Sequence, residues 1–131
     1  MKKIKKFVKE NKFILIILLL ALLIRLLFFF SYHAIWWDSA VYVGMGKYIF
    51  SLGKQGLWEP IRPIVWPIIL GFLWKIKLNP IFFGRLLNII MSLGIIYLVY
   101  YITKQLYEER TALIALIMIS FSSIFLKSNI A

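Results

Sequence analysis

Phe13-Ile14-Leu15-Ile16-Ile17-Leu18-Leu19-Leu20-Ala21-Leu22-Leu23-Ile24-Arg25-Leu26-Leu27-Phe28-Phe29-Phe30 carries one charge in 18 residues. At about 1.5 Å per residue, a helix of this length extends roughly 27 Å, close to the hydrocarbon thickness of a bilayer. The run therefore predicts a transmembrane helix over 13–30. A secretory signal peptide also follows a basic start, but its apolar part spans about 7–15 residues and ends in small side chains. Phe28-Phe29-Phe30-Ser31-Tyr32 is too bulky for a cleavage site, so the run is read as an uncleaved anchor.

The rest of the composition agrees. Of 131 residues, 63% are hydrophobic and 16% charged, whereas soluble domains average about 45–50% and roughly 25%. A water-soluble domain is excluded, and so is a solvated disordered coil. The absence of cysteine excludes disulfides, thiolate metal sites and a cysteine nucleophile, and a single histidine, His33, argues against an all-protein zinc site. The formal charge of +11 does not point to nucleic acid. Six lysines (Lys2, Lys3, Lys5, Lys6, Lys9 and Lys12) precede the apolar run, where they meet anionic lipid on the cytoplasmic side.

Two further spans are predicted. Asn79-Pro80 offers an N-cap and a first helical residue for a span over 80–102. After a polar hinge at 103–110, residues 111–126 form a third span near the lower length limit. The basic tail, 1–12, holds six Lys or Arg, against five (Lys47, Lys54, Arg62, Lys75 and Lys77) in the 49 residues from Ser31 to Asn79. The positive-inside rule places the N-terminus in the cytoplasm, the 31–79 segment outside, and the C-terminus, 127–131, at the outer face of a cell membrane.

Within the outer segment, Val41, Met45, Tyr48 and Leu52 recur at helical spacing. This predicts an amphipathic helix from Ser39 to Leu52 lying on the membrane and ended by Gly53. Arg62 to Lys77, with Pro63 and Pro67 in its opening turn, is read as a second interfacial or re-entrant helix anchored by Trp66 and Trp74. The expected fold is all-α and integral to the membrane: three transmembrane helices with juxtamembrane amphipathic helices in the first outer loop.

The outer segment has two carboxylates, Asp38 and Glu59. A carboxylate beside an aromatic wall such as Trp36-Trp37 at a membrane surface suits general-base work. The bland alternative makes Asp38 a helix N-cap and Glu59 a solvated turn charge. Arg25 and Arg85 fall at matched depth, roughly 7–8 Å inside the outer boundary. Guanidinium forks there suit a lipid phosphate, and the alternative is snorkelling. His33, Trp36 and Trp37 read as interfacial rings. Gly44-Met45-Gly46 reads as a helix-surface detail, without the further glycine and strand of a phosphate loop.

Trp37-Asp38-Ser39-Ala40-Val41-Tyr42 resembles the Asp-Glu-x-x-Tyr stretch of the GT-C glycosyltransferases, of the dolichyl-phosphate-mannose protein mannosyltransferase and aminoarabinose-transferase type. Arg62-Pro63-Ile64-Val65-Trp66-Pro67 is similar to their Arg/His-Pro-Pro-x-x-Pro stretch, and Phe83-Gly84-Arg85-Leu86-Leu87-Asn88 to their Ala-Ala-Arg-Leu-Leu-Ser stretch. Tyr101 to Ala115 is also like the family. Ser39 stands where the family often has a second acid, and Pro63-Ile64 replaces a double proline.

The resemblance implies that Asp38 deprotonates an acceptor hydroxyl, which attacks a sugar carried on a polyprenyl phosphate. Trp37, Tyr42, Arg62 and Arg85, which lie in these stretches, are expected on the substrate side, as is Arg25 by its depth. No cofactor is indicated, and no motif decides a divalent-metal requirement. Family members have several more spans, so the chain is expected to be their front part and to work with membrane lipids and a missing portion or partner subunit. The competing reading is a small non-enzymatic accessory or assembly subunit. A carrier is less favoured, since no broken-helix pair is visible.

Overall fold

The computed structural model describes residues 11–31 and 35–128. The tail lysines at 2, 3, 5, 6 and 9, His33 and the last three residues lie outside the described residues. Every regular element among the described residues is an α-helix: α1 (Lys12–Ser31), α2 (Trp37–Phe50), α3 (Val65–Lys75), α4 (Pro80–Leu106), α5 (Glu109–Phe121) and α6 (Ser123–Ser128). By length and composition α1 and α4 are able to cross a membrane. The described chain divides into two compact units, one from residues 11–31 and 89–128, the other from 35–88.

In the first unit, α1 packs on α5. Ile14, Ala21, Ile96, Tyr100, Ala112 and Leu116 form its buried core, joined by Ile17, Leu18, Leu93 and Leu113. On each helix these residues follow the i, i+3/i+4, i+7 spacing of a single face. Ala21 and Ala112 are fully covered, and such small residues let helix backbones approach. The opposite faces are apolar too: Leu19, Leu23 and Leu27 of α1, Ile90, Met91 and Leu98 of α4, and Ile114 and Met118 of α5 are exposed. The buried polar side chains here are Arg25, Ser92 and Ser120. A large uncovered apolar surface around a partly polar interior suits lipid as the solvent.

The second unit is built on a reversal. α2 ends at Ser51, where the Leu52 N–H bonds to the Ile49 carbonyl and the Gly53 N–H to the Tyr48 carbonyl. Two successive residues of this turn are left-handed, Leu52 at φ 55° and Gly53 at φ 80°. The expected Ser39–Leu52 helix therefore starts and stops two residues earlier. The chain then runs back along α2: the Leu57 N–H bonds to the Gly44 carbonyl, and the Tyr48 and Trp58 rings lie 5.9 Å apart. Because the loop returns to the start of α2, α3 begins there and runs alongside α2 in the same direction.

The two helices touch through Gly46 and Gly71. A Cβ on Gly46 would lie 2.6 Å from both the Gly71 nitrogen and the Pro67 carbonyl oxygen. Gly44-Met45-Gly46 is thus a helix-crossing surface rather than an outward detail. Val41 and Met45 are buried alongside Pro67, Leu70 and Gly71 of α3. Val41 and Met45, expected to face the membrane, are covered by protein, because glycine on both helices allows a close approach, while Tyr48 stays exposed. Leu52, 89% exposed, is off the helix altogether.

α3 has 11 residues, about 16 Å of helix, too short to cross a hydrocarbon core of about 30 Å. Pro67 sits in its first turn, where no intrahelical N–H is needed. The Leu78 N–H bonds to the Leu73 carbonyl and the Lys77 N–H to that of Trp74, with Lys77 left-handed at φ 64°. Asn79 caps α4: its Oδ1 accepts from the N–H groups of Ile81 and Phe82.

Two boundaries differ from the sequence reading. α4 continues to Leu106, leaving only Tyr107 and Glu108 before α5. Lys104 and Gln105 end the apolar run but are good helix formers, so polarity stops the span without stopping the helix. Residues 111–126 do not form one helix either: Ser122 has ψ 121°, outside the helical region, and divides α5 from α6.

Candidate functional site

Asp38 and Tyr42 are one turn apart on α2 and share a face. Trp36 occupies the N-cap, so Asp38 is a first-turn residue rather than the cap. Its carboxylate also suits the positive end of the helix dipole. The returning loop delivers Arg62 onto this face. Arg62 Nη1 donates to Asp38 Oδ1 at 2.7 Å and Arg62 Nε to Glu59 Oε2 at 2.8 Å. The guanidinium carbon lies 5.4 Å from the centre of the Tyr42 ring, within cation–π range. Glu59 is therefore a partner of Arg62, three residues on, and not a free turn charge. Bonds from Glu59 first, then Asp38 and Tyr42, hold the Arg62 guanidinium above its ordinary proton affinity.

Exposed ion pairs of this kind add little to stability. Their effect is positional: one planar cation, through two different nitrogens, fixes both acids of the outer segment. The Asp38 side chain remains 62% exposed and Arg62 21%, so the carboxylate is open to a solute while its orienting partner is half-buried. An open carboxylate held at one oxygen is able to accept a proton at the other. Trp37 is exposed.

A small cleft lies beside this cluster, lined by Ser39 and Val43 of α2, Trp66 and Leu70 of α3, and Arg85 and Asn88 of α4. Gly84 makes it possible, since a Cβ there would meet the Leu70 side chain at 2.7 Å. Arg85 thus borders a cavity whose wall includes the neighbour of Asp38.

Arg25 belongs to the other unit. It is 1% exposed. Its Nε donates to Ser92 Oγ at 2.9 Å, and its Nη1 donates to the carbonyls of Ala21 and Ser120 at 3.0 and 3.3 Å. The Phe125 ring centre lies 5.5 Å from the guanidinium. Arg25 does not snorkel, because Ser92 and two carbonyls supply polar partners in the interior. Among the described residues, the structure brings together Asp38, Tyr42 and Arg62 and sets Arg85 at the cleft. Sequence reasoning missed Glu59 as the second acid on Arg62; its spacing of three from Arg62 was the available signal. Among the described residues, no group of three or more His, Cys, Asp or Glu is gathered as for a metal ion.

A family model described as dolichyl-phosphate-mannose-protein mannosyltransferase matches residues 61–130, just over half of the chain. The matched segment contains Arg62 and Arg85 and begins after Asp38. No curated protein and no solved structure matches.

Proposed function

Since the chain belongs to the dolichyl-phosphate-mannose-protein mannosyltransferase family, we propose that it acts in transferring a sugar from a polyprenyl-phosphate carrier to an acceptor hydroxyl at the outer face of the cell membrane. The observation that carries this reading is the 2.7 Å contact between Arg62 and Asp38. It ties an acid upstream of the family-matched segment to a cation within it, on an accessible surface.

In this reading Asp38 takes the proton of the acceptor hydroxyl. The acceptor oxygen bonds to the anomeric carbon as the bond from that carbon to the phosphate oxygen breaks, and the polyprenyl phosphate leaves with the electron pair. Arg62 orients Asp38, and Arg85, at the cleft, is placed to hold the donor phosphate. Tyr42 and Trp37 border the acceptor side. Arg25 is left out of the chemistry because it is buried in its own helical unit, where Nε and Nη1 bond to Ser92, Ala21 and Ser120. α1 and α4 cross the membrane, with the N-terminus cytoplasmic and α2 and α3 outside. The α5–α6 stretch, 109–128, supplies a third crossing despite its break.

A non-enzymatic subunit is the second reading. It is favoured by the capture of both outer acids by one arginine, which also suits a purely structural clasp between loop and helix. The deciding experiment assays sugar release from polyprenyl-phosphate donors by the protein as its whole gene encodes it, with and without Asp38→Asn. Loss of a general base lowers turnover by about 10²–10⁴-fold. Unchanged turnover would remove Asp38 from the mechanism.

A further inference from the structure

Lys47 of α2 and Lys75 and Lys77 at the end of α3 line a groove of about 670 Å³, walled by Trp74, Leu78 and Ile81. Both described acids of this unit are bound to Arg62. Among the described residues, no acid pairs with any of these three lysines. Lys75 and Lys77 would point about 200° apart on a continuous helix. The left-handed residue at 77 breaks the helix and brings both to the same groove. Along α2, Lys47 is nine residues beyond Asp38, about 14 Å of helix rise, so the groove lies at the opposite end of the α2–α3 pair from the Asp38–Arg62 contact.

We infer that this groove binds the phosphate of an anionic lipid, with Lys47, Lys75 and Lys77 as its cationic ring and Trp74, Leu78 and Ile81 against the apolar part of the molecule. Three ammonium groups unpaired by any acid among the described residues favour a multiply contacted anion. The apolar wall beside them favours a lipid over a free ion, since indole rings sit at headgroup level. The site does not depend on the transferase reading.

The test places the whole protein in nanodiscs of phosphatidylcholine containing a minor share of phosphatidylglycerol. Lipid retained after mild detergent extraction is counted by native mass spectrometry. Retention of phosphatidylglycerol over phosphatidylcholine is expected, falling about ten- to hundredfold in Lys47→Gln/Lys75→Gln/Lys77→Gln. The control Lys12→Gln/Lys54→Gln/Arg110→Gln, which removes the same charge elsewhere, should retain it. Lys75 and Lys77 are exposed and Lys47 half-buried, and circular dichroism of both triples checks that each is folded. Equal loss in the two triples would overturn the site in favour of diffuse attraction. Inorganic phosphate binding as tightly as phosphatidylglycerol, in nanodiscs of phosphatidylcholine alone, would overturn the lipid assignment.

Discussion

Gly46 and Gly71 meet backbone to backbone, and a Cβ on Gly71 would lie 2.5 Å from the Gly46 carbonyl oxygen. No side-chain rotation relieves such a clash. Gly46→Ala and Gly71→Ala are each expected to cost about 1–3 kcal/mol through forced separation of α2 and α3. Gly94, with nothing within 4 Å of its would-be Cβ, gives the opposite result. Gly94→Ala should be neutral or stabilising by up to about 1 kcal/mol through helix propensity. Thermal unfolding of the purified chain in one detergent compares all three, and equal effects would refute the contact.

Arg62 holds Asp38 and Glu59 through separate nitrogens. Lysine keeps the charge but offers one nitrogen, so Arg62→Lys should be nearly as impaired in sugar transfer as Arg62→Gln, each by about tenfold or more. Full activity in Arg62→Lys would show that only the charge matters. Fold stability should change little in either variant, because the ion pairs are exposed.

Ser92→Ala leaves the Arg25 Nε buried without its acceptor, at a cost of about 1–3 kcal/mol. In an Arg25→Leu background the same change should cost almost nothing. A double-mutant cycle read by unfolding in detergent checks this, and the same cost in both backgrounds would mean that the bond contributes nothing.

Leu52 is left-handed and almost wholly exposed, so it bears a backbone penalty without offsetting burial. Leu52→Gly should stabilise by about 0.5–1 kcal/mol after allowing for the greater freedom of glycine in the unfolded chain. A lower melting temperature would contradict the cap geometry.

The chain has no cysteine, so single cysteines report topology cleanly. Cysteines replacing Lys54 and Glu108 should differ in cells: an impermeant thiol reagent labels the first and not the second. Labelling of Glu108→Cys alone would invert the proposed orientation.

The long apolar helices were legible because their signal is local: one run of leucine and phenylalanine for α1, and Asn79-Pro80 with a following apolar stretch for α4. Asp38, Tyr42 and Arg62 were singled out by their stretches, but their contact was not legible, since a 24-residue separation leaves no trace in helical periodicity. The loop reversal depends on Gly56, at φ 90°, where a Cβ would collide with the Gly44 carbonyl. Sequence shows a glycine there but not which backbone it passes. For the same reason Val41 and Met45 carried the right spacing but the wrong partner. The burial of Arg25 was not legible because two of its acceptors lie 67 and 95 residues away, and a cation in an apolar run is ordinarily drawn to the headgroups.

The engagement of Arg25 with Ser92 has a consequence for assembly. Turning α4 about its axis by one residue, about 100°, would carry the Ser92 hydroxyl away and leave the Arg25 Nε without its acceptor, while Nη1 would keep the Ala21 and Ser120 carbonyls. Leucine-rich faces alone tolerate many rotational settings, because one greasy surface packs against another almost equally well. The Arg25–Ser92 bond disfavours the settings of α4 that break it, so its effect is to select a helix phase rather than to add net stability.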